Sequence, residues 1–203
     1  IKGLRGWAVT AVVIFHFFPD LLPYGYLGVD VFFVLSGFLI SLVLNDKPTT
    51  FTTYEQFYFK RIRRIVPLST LVILICLIHT WLLKSGRILQ FITKSSLFAL
   101  YFVTNLKIKD EGEDYFRSLS NADDLFTHTW SLSVEIQFYL MAPLILHLLK
   151  PNSQPATLVY LGCIAILSIL YEFSIGQTES FGSMPGRLWQ FIGGAIAFAI
   201  QQV

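Results

Sequence analysis

Residues 5–16 read RGWAVTAVVIFH, so a run of ten uncharged, mostly apolar residues separates Arg5 from His16. Eleven helical steps of about 100° make about three turns, so both side chains lie on one helical face, about 16 Å apart along the axis. The pattern predicts a membrane helix with an imidazole deep inside it. Because ionisable groups at that depth usually handle protons or substrates, His16 is the first candidate for chemistry. The alternative is a histidine hydrogen-bonded to a neighbouring helix.

The composition places the chain among membrane proteins. Hydrophobic residues make up 54% and charged residues only 14%, whereas soluble domains carry about 25% charged residues. We therefore predict an all-α fold, a polytopic transmembrane helix bundle with six to seven spans. The net charge of +2 is too small to suggest nucleic acid as a partner. The predicted apolar segments are residues 4–18, 26–44, 65–83, 91–106, 130–149, 156–173 and 188–203.

The basic residues predict an orientation. Residues 60–64 read KRIRR directly before the third segment, and Lys2 and Arg5 stand at the start of the first. The positive-inside rule then puts the basic loop 47–64 in the cytoplasm and the turn 19–25 on the outer or lumenal side. We expect a multi-pass protein of the plasma membrane or an endomembrane. The side of the acidic loop 107–128 stays open, because acidic residues carry little topological information.

Asp30 is the second candidate, because it lies among aromatic residues in the segment YLGVDVFFVLSGFLI, residues 26–40. A carboxylate in a membrane helix needs a partner or water. It could cap the helix, accept a hydrogen bond from Arg5 or His16, or contact substrate.

The basic cluster has two interpretations. It could anchor the topology through anionic lipids. Alternatively, Arg61 and Arg64 stand three apart on one helical face, and their planar guanidinium groups suit the phosphates of a ligand such as coenzyme A.

Glu135 belongs to a polar stripe that leads into the fifth segment. At helical spacing it shares a face with His128, Ser131 and Tyr139. Interhelical hydrogen bonding and a catalytic or substrate role are both open for this acid. Arg187 could pair with an acid or mark the start of the last helix. Cys76 and Cys163 lie in apolar runs and are interpreted as small hydrophobic residues rather than as a disulfide or metal ligands.

Five blocks in order carry a resemblance to a known family. They read GLRGWAVTAVVIFHFFP, GYLGVDVFFVLSGFLIS, FYFKRIRRIVP, HTWSLSVEIQFYLMAPL and MPGRLWQFIGGA. The chain resembles the membrane acyltransferase-3 family, which includes bacterial O-antigen acetylases and nematode O-acyltransferase homologues. One position departs from the pattern, because Ile136 stands where the family usually carries a second acid after Glu135. This departure argues against a role for two neighbouring carboxylates.

The resemblance implies a bundle of about ten helices, of which residues 1–203 would be the N-terminal part of one acyltransferase domain, truncated at both ends. It also implies acyl transfer from cytoplasmic acyl-CoA, with acetyl-CoA the first expectation, to a hydroxyl of a carbohydrate or lipid-linked acceptor. By position, His16 matches the catalytic histidine and Arg5 its partner, while Arg61 and Arg64 match the arginines placed toward coenzyme A. No metal is expected.

Acyl transfer to a hydroxyl needs a base, donors for the developing oxyanion and a site for the thioester. His16 would be the base, or would accept the acyl group first. Arg5 is assigned to the path of the donor, and either Glu135 or Asp30 could orient the imidazole. The competing interpretation is a proton-linked transporter of a polar solute, which would use the same buried charges. A non-catalytic membrane scaffold is a third class.

Overall fold

The structure is a computed structural model that describes residues 2–83, 86–106, 124–176 and 180–202. Within these ranges the chain is helical and contains no strand, which confirms the all-α prediction. Each of the seven predicted apolar segments overlaps an α-helix. The helices are α1 Lys2–Phe17, α2 Gly28–Leu44, α3 Phe51–Leu83, α4 Arg87–Leu100, α5 Trp130–Pro143, α6 Gln154–Ile175 and α7 Met184–Gln201.

Among the described residues, four helical segments are long and apolar enough to cross a bilayer: Gly25–Leu44, Phe51–Leu83, Thr127–Leu148 and Gln154–Ile175. A helix needs about 20 mostly apolar residues to do so. The most apolar windows of the second and fourth of these segments are each only 11% buried, so their side chains remain available to lipid. The chain is an integral membrane protein.

The prediction that residues 47–64 form a loop is wrong, because α3 already begins at Phe51. Residues 51–64 contain neither Gly nor Pro, and the carbonyl oxygen of Thr50 accepts hydrogen bonds from the amides of Thr53 and Tyr54 as the helix starts. At 33 residues, α3 is about 50 Å long, which exceeds the hydrocarbon core of about 30 Å. Its basic first half can therefore continue the helix outside the apolar layer.

The predicted segment 91–106 also ends earlier than expected. Helix α4 stops at Leu100, and Phe102 takes the left-handed conformation with φ 55°, which is unusual for a residue with a side chain. The Gln137 side-chain amide donates to the Phe102 carbonyl oxygen at 3.3 Å. A hydrogen bond from a residue distant in sequence thus stabilises the end of this helix, which the hydrophobicity pattern alone does not predict.

The position of His16 corrects a third expectation. Helix α1 ends at Phe17, so His16 lies in its last turn and is exposed, rather than deep within a span. Pro19 explains the end of the helix, because the residue before a proline is pushed out of helical geometry.

Residues in this part of the chain form two compact units. Unit 1 comprises Ile1–Lys47, Ala142–Tyr171 and Arg187–Val203, and unit 2 comprises Pro48–Met141 and Glu172–Gly186.

In unit 1, α1 packs antiparallel against the start of α2. A Cβ at Gly28 would lie 2.5 Å from the Ala8 carbonyl oxygen and 2.7 Å from Val12 Cγ2. Gly25, in the short 3₁₀ turn Gly25–Leu27 that leads into α2, likewise faces Ala11. Ala11 lies three residues after Ala8 on α1. The missing side chains allow this approach, which brings the end of α1 beside the start of α2.

A second close contact in unit 1 joins α2 to α7. A Cβ at Gly37 would collide with the Phe191 carbonyl oxygen, and a Cβ at Gly194 would collide with the Val34 carbonyl oxygen. The Phe33 and Phe191 rings stack with centroids 4.7 Å apart. These contacts fix the register of the two helices, because neither backbone can slide without meeting the other.

The core of unit 2 contains apolar side chains and a pair of side-chain amides, of which Asn105 is buried and Gln137 is partly buried. Asn105 and Gln137 exchange hydrogen bonds through their side-chain amides at 3.1 and 2.8 Å. Asn105 also donates to the Gly182 carbonyl oxygen at 3.0 Å. The apolar cluster consists of Ile73, Ile92, Ala99 and Phe126. Because the amides are paired, burying them costs little.

Candidate functional site

The imidazole of His16 is held by its own helix. His16 Nδ1 lies 2.7 Å from the Val12 carbonyl oxygen one turn earlier. A carbonyl oxygen can only accept, so Nδ1 carries the proton and the lone pair of the neutral ring is on Nε2. The ring also meets Phe15 edge to face, with centroids 5.3 Å apart. Because this hydrogen bond fixes the tautomer, the exposed His16 has a basic Nε2 in its neutral form.

Asp30 forms an ion pair with Arg187. The two charged groups are 3.5 Å apart, with side-chain exposures of 31% and 12%. Asp30 lies in the first turn of α2, and Arg187 lies near the start of α7. The pairing gives Asp30 a structural partner, and it shows that Arg187 both pairs with an acid and stands at a helix start.

Arg5 is half-buried on the first turns of α1. Its Nε is fully shielded from solvent and has no hydrogen-bond partner among the described residues. A buried donor without an acceptor is costly and calls for an explanation. Arg5 therefore carries an N–H group that a bound ligand could satisfy.

Arg61 lies against aromatic rings in unit 2. Its guanidinium carbon is 3.6 Å from the centroid of the Phe57 ring and 5.1 Å from that of Tyr139. It also donates to the Phe57 carbonyl oxygen at 3.3 Å. Such stacking limits the orientations of a guanidinium group. Arg64, one turn further along α3, is exposed.

Glu135 accepts a short hydrogen bond from the Tyr139 hydroxyl, one turn later on α5. The predicted stripe therefore exists at least between these two residues. Since the Tyr139 ring also faces Arg61, the acid, the phenol and the guanidinium group form a connected set. Sequence reasoning missed Phe57 and the aromatic face of Tyr139 as partners of Arg61. The four-residue spacing from Phe57 to Arg61 was the available signal.

The candidate residues divide between the two units. His16, Arg5 and Asp30 belong to unit 1, whereas Arg61, Arg64 and Glu135 belong to unit 2. The acidic residues 107–123, whose side of the membrane was left open, lie outside the described residues.

Comparison with known proteins gives a family match. A family model described as "Acyltransferase domain" matches residues 1–202. The chain is 32% identical, over 98% of its length, to the protein named O-acetyltransferase OatA in Staphylococcus aureus strains NCTC 8325 / PS 47 and COL. The match covers 34% of those relatives, so the chain spans about a third of their length. No solved structure matches the chain significantly.

Proposed function

Since the chain belongs to the family of acyltransferase domains, we propose that it is the N-terminal part of one such domain in a membrane-bound O-acyltransferase. The reaction would transfer an acyl group from cytoplasmic acyl-CoA to a hydroxyl group of an acceptor, across or within the membrane. Acetyl is the first acyl group to test. Relatives named O-acetyltransferase support the class of reaction. The membership confirms the family resemblance that the five sequence blocks indicated.

The observation that carries this proposal is the tautomer of His16. With Nδ1–H donating to the Val12 carbonyl oxygen, Nε2 can take the proton of an acceptor hydroxyl. The hydroxyl oxygen then forms a bond to the thioester carbonyl carbon, and the carbon–sulfur bond breaks. The proton passes from the imidazolium to the leaving thiolate. The products are an ester and free coenzyme A, and the histidine is regenerated.

The proposed donor contact is the phosphate-bearing end of acyl-CoA. Arg61 is held by Phe57 and Tyr139 in a limited set of orientations, and Arg64 presents a second guanidinium group one turn away. Two planar groups at this spacing suit neighbouring phosphates. In the orientation that the positive-inside rule predicts, they lie on the side where acyl-CoA is found.

We assign different roles to the two acids. Asp30 is paired with Arg187, so its role is to join the starts of α2 and α7 rather than to touch the reacting atoms. Glu135 acts through Tyr139 on Arg61 and is a positioning residue for the donor. In this proposal the two acids therefore do not share a catalytic role.

The acceptor is proposed as a hydroxyl of a carbohydrate or lipid-linked molecule on the outer or lumenal side. His16 lies at the end of α1 next to the turn 19–25, which the charge pattern predicts on that side. Membrane lipid surrounds the helices and completes the set of partners.

The experiment is transfer of labelled acetyl from acetyl-CoA by the full-length protein in membrane vesicles. We expect labelled ester on an added oligosaccharide and release of one free thiol per ester formed. The same vesicles with His16→Ala should form neither product. A protein that moves solute in response to a pH gradient without forming an ester would instead be the proton-linked transporter.

A further inference from the structure

A cleft in unit 1 lies between the ends of α2 and α7, the start of α6 and the helical turn Leu144–Leu148 that continues α5. All of its described lining residues belong to this unit. The Gln154 side-chain amide donates to the Ala199 carbonyl oxygen and so joins the start of α6 to the end of α7. The polar lining residues include Ser41, Asn45, Lys150, Gln154 and Gln202. The cleft is therefore a polar opening at one end of an otherwise apolar group of helices.

Lys150 gives the cleft its charge. Among the described lining residues it is the only charged one. Its Nζ donates to Asn45 Oδ1 at 2.9 Å, and Asn45 Nδ2 donates to the exposed Asp46 carboxylate at 2.9 Å. An ammonium group has three donors, and the hydrogen bond to Asn45 uses one of them. Because Lys150 is only half-buried, an anion in the cleft can accept from the others.

The interior of the cleft is small. Its free volume is about 30 Å³, whereas one water-sized group needs about 10–15 Å³. One or two oxygens of an anion therefore fit inside, and the remainder of the ligand must lie outside. Leu161 and Phe198 are buried in the wall, so the interior offers a second charge little stabilisation. These dimensions suit a phosphate group at the end of a larger molecule.

The helix ends around the cleft also expose large apolar side chains. Each of these is at least 46% exposed, and they are Leu42, Val43, Leu148, Leu149 and Ile200. Exposed apolar surface of this kind suits contact with lipid chains. Helix α2 ends shortly before the basic residues 60–64, so the positive-inside rule predicts this end of unit 1 on the cytoplasmic side. The cytoplasmic leaflet is the one in which anionic lipids give a negative surface potential.

We propose that this cleft binds the phosphate group of an anionic phospholipid from the cytoplasmic leaflet. Lys150 Nζ donates a charge-assisted hydrogen bond to a non-bridging phosphate oxygen. Ser41 and Gln202 offer neutral donors, and the acyl chains lie against the exposed apolar side chains of the same helix ends. The inference goes beyond acyl transfer and does not depend on it, so either can fail without the other.

The first experiment needs no variant. Full-length protein in detergent is titrated with phosphatidylglycerol or with phosphatidylcholine of the same acyl chains, and native mass spectrometry gives the Kd of the first bound lipid. Both lipids carry a phosphate, but the choline group cancels its charge. We expect phosphatidylglycerol to bind at least about tenfold more tightly. Equal affinities overturn the inference.

Two lysine variants locate the binding site. Lys150→Met removes the ammonium group from the cleft and should weaken phosphatidylglycerol binding by about tenfold or more. Lys47→Met is the matched control, because it removes one positive charge from an exposed side chain at the same end of α2. It should bind like the wild type. Equal losses in both variants would indicate general attraction to a basic surface and contradict the proposal.

Thermal unfolding separates lipid binding from a structural role of Lys150. Phosphatidylglycerol should raise the melting temperature of the wild type and of Lys47→Met, because a ligand of the folded state stabilises it. It should not raise that of Lys150→Met. If the lipid stabilises Lys150→Met as much as the wild type, Lys150 only holds Asn45 and the proposal is wrong.

Competition identifies the source of the phosphate. Glycerol 3-phosphate has the charged group without acyl chains, and coenzyme A carries phosphates on a soluble molecule. Neither should displace phosphatidylglycerol from the wild-type protein at millimolar concentration, because neither gains the contacts of the acyl chains. Displacement by either one, with the same loss in Lys150→Met, would assign the cleft to a soluble phosphate and overturn the lipid site.

Discussion

The Asp30 carboxylate lies 3.5 Å from the Arg187 guanidinium group and joins the first turn of α2 to the start of α7 in unit 1. The arginine is the more buried partner, with 12% of its side chain exposed. A charge at that depth is stabilised mainly by its counter-ion. The pair therefore connects helices that are distant in sequence at the end of the unit where α1 also ends.

The first prediction concerns this ion pair. Asp30→Asn removes the counter-ion and leaves the largely buried Arg187 without this carboxylate, so the protein should lose about 1–3 kcal/mol of stability. Thermal unfolding in detergent measures the loss. Asp20→Asn, at an exposed acid, is the control and should have no effect. If Asp30→Asn melts like the wild type, the ion pair contributes little to the fold.

A pair of neighbouring glycines tests the packing of α2 against α7. Gly194→Ala places a methyl group against the Val34 carbonyl oxygen, whereas a Cβ at Gly193 meets nothing within 4 Å. We expect Gly194→Ala to destabilise the protein by about 1–3 kcal/mol and Gly193→Ala to be neutral or slightly stabilising. Melting temperatures of the two variants decide it. Equal effects at both positions would mean that the register of α2 and α7 is wrong.

His16→Ala should abolish acyl transfer while the protein still inserts into the membrane. General base catalysis contributes about 10²–10⁴-fold, and the His16 side chain is exposed, so its truncation should not unfold the chain. Ester formation per folded molecule is the measurement. His79→Ala, at another exposed histidine, is the control and should keep full activity. Turnover of His16→Ala at the wild-type rate would remove His16 from the site.

The arginine pair is predicted to act through shape as well as charge. The double variant Arg61→Lys with Arg64→Lys keeps the positive charge needed for topology but loses planar groups, so KM for acyl-CoA should rise by about tenfold. Arg63→Lys, on the same helix and exposed, should leave KM unchanged. A double variant with the wild-type dependence on acyl-CoA concentration would show that the cluster is only a topology anchor.

Glu135 and Tyr139 should affect donor binding rather than the chemical step. In Glu135→Gln the side chain keeps its size but loses the charge that holds the Tyr139 hydroxyl, so we expect a higher KM for acyl-CoA with little change in kcat. Tyr139→Phe should behave in the same way. The opposite split, a kcat at least about tenfold lower with KM unchanged, would place the Glu135 carboxylate at the reacting atoms.

Hydrophobic periodicity and composition were enough to predict the seven helices, because a membrane helix must satisfy its backbone internally and show apolar side chains to lipid. The predicted helix ends were less accurate where contacts with residues distant in sequence determine the end of a helix. Phe102 is the clearest example, since its left-handed conformation is held by Gln137, which lies 35 residues later. No pattern within residues 91–106 carries that information.

The sequence by itself determined the fold class, the family and the candidate residues His16, Arg61 and Glu135, because these depend on residue type, order and helical spacing. Only the tertiary structure decided their partners. Contacts between helices pair Asp30 with Arg187 and bring Tyr139 against Arg61. The same packing leaves the Oε1 atom of Gln190 without a hydrogen-bond partner among the described residues. Such contacts join residues far apart in the chain, and they depend on which helices approach closely and in which register.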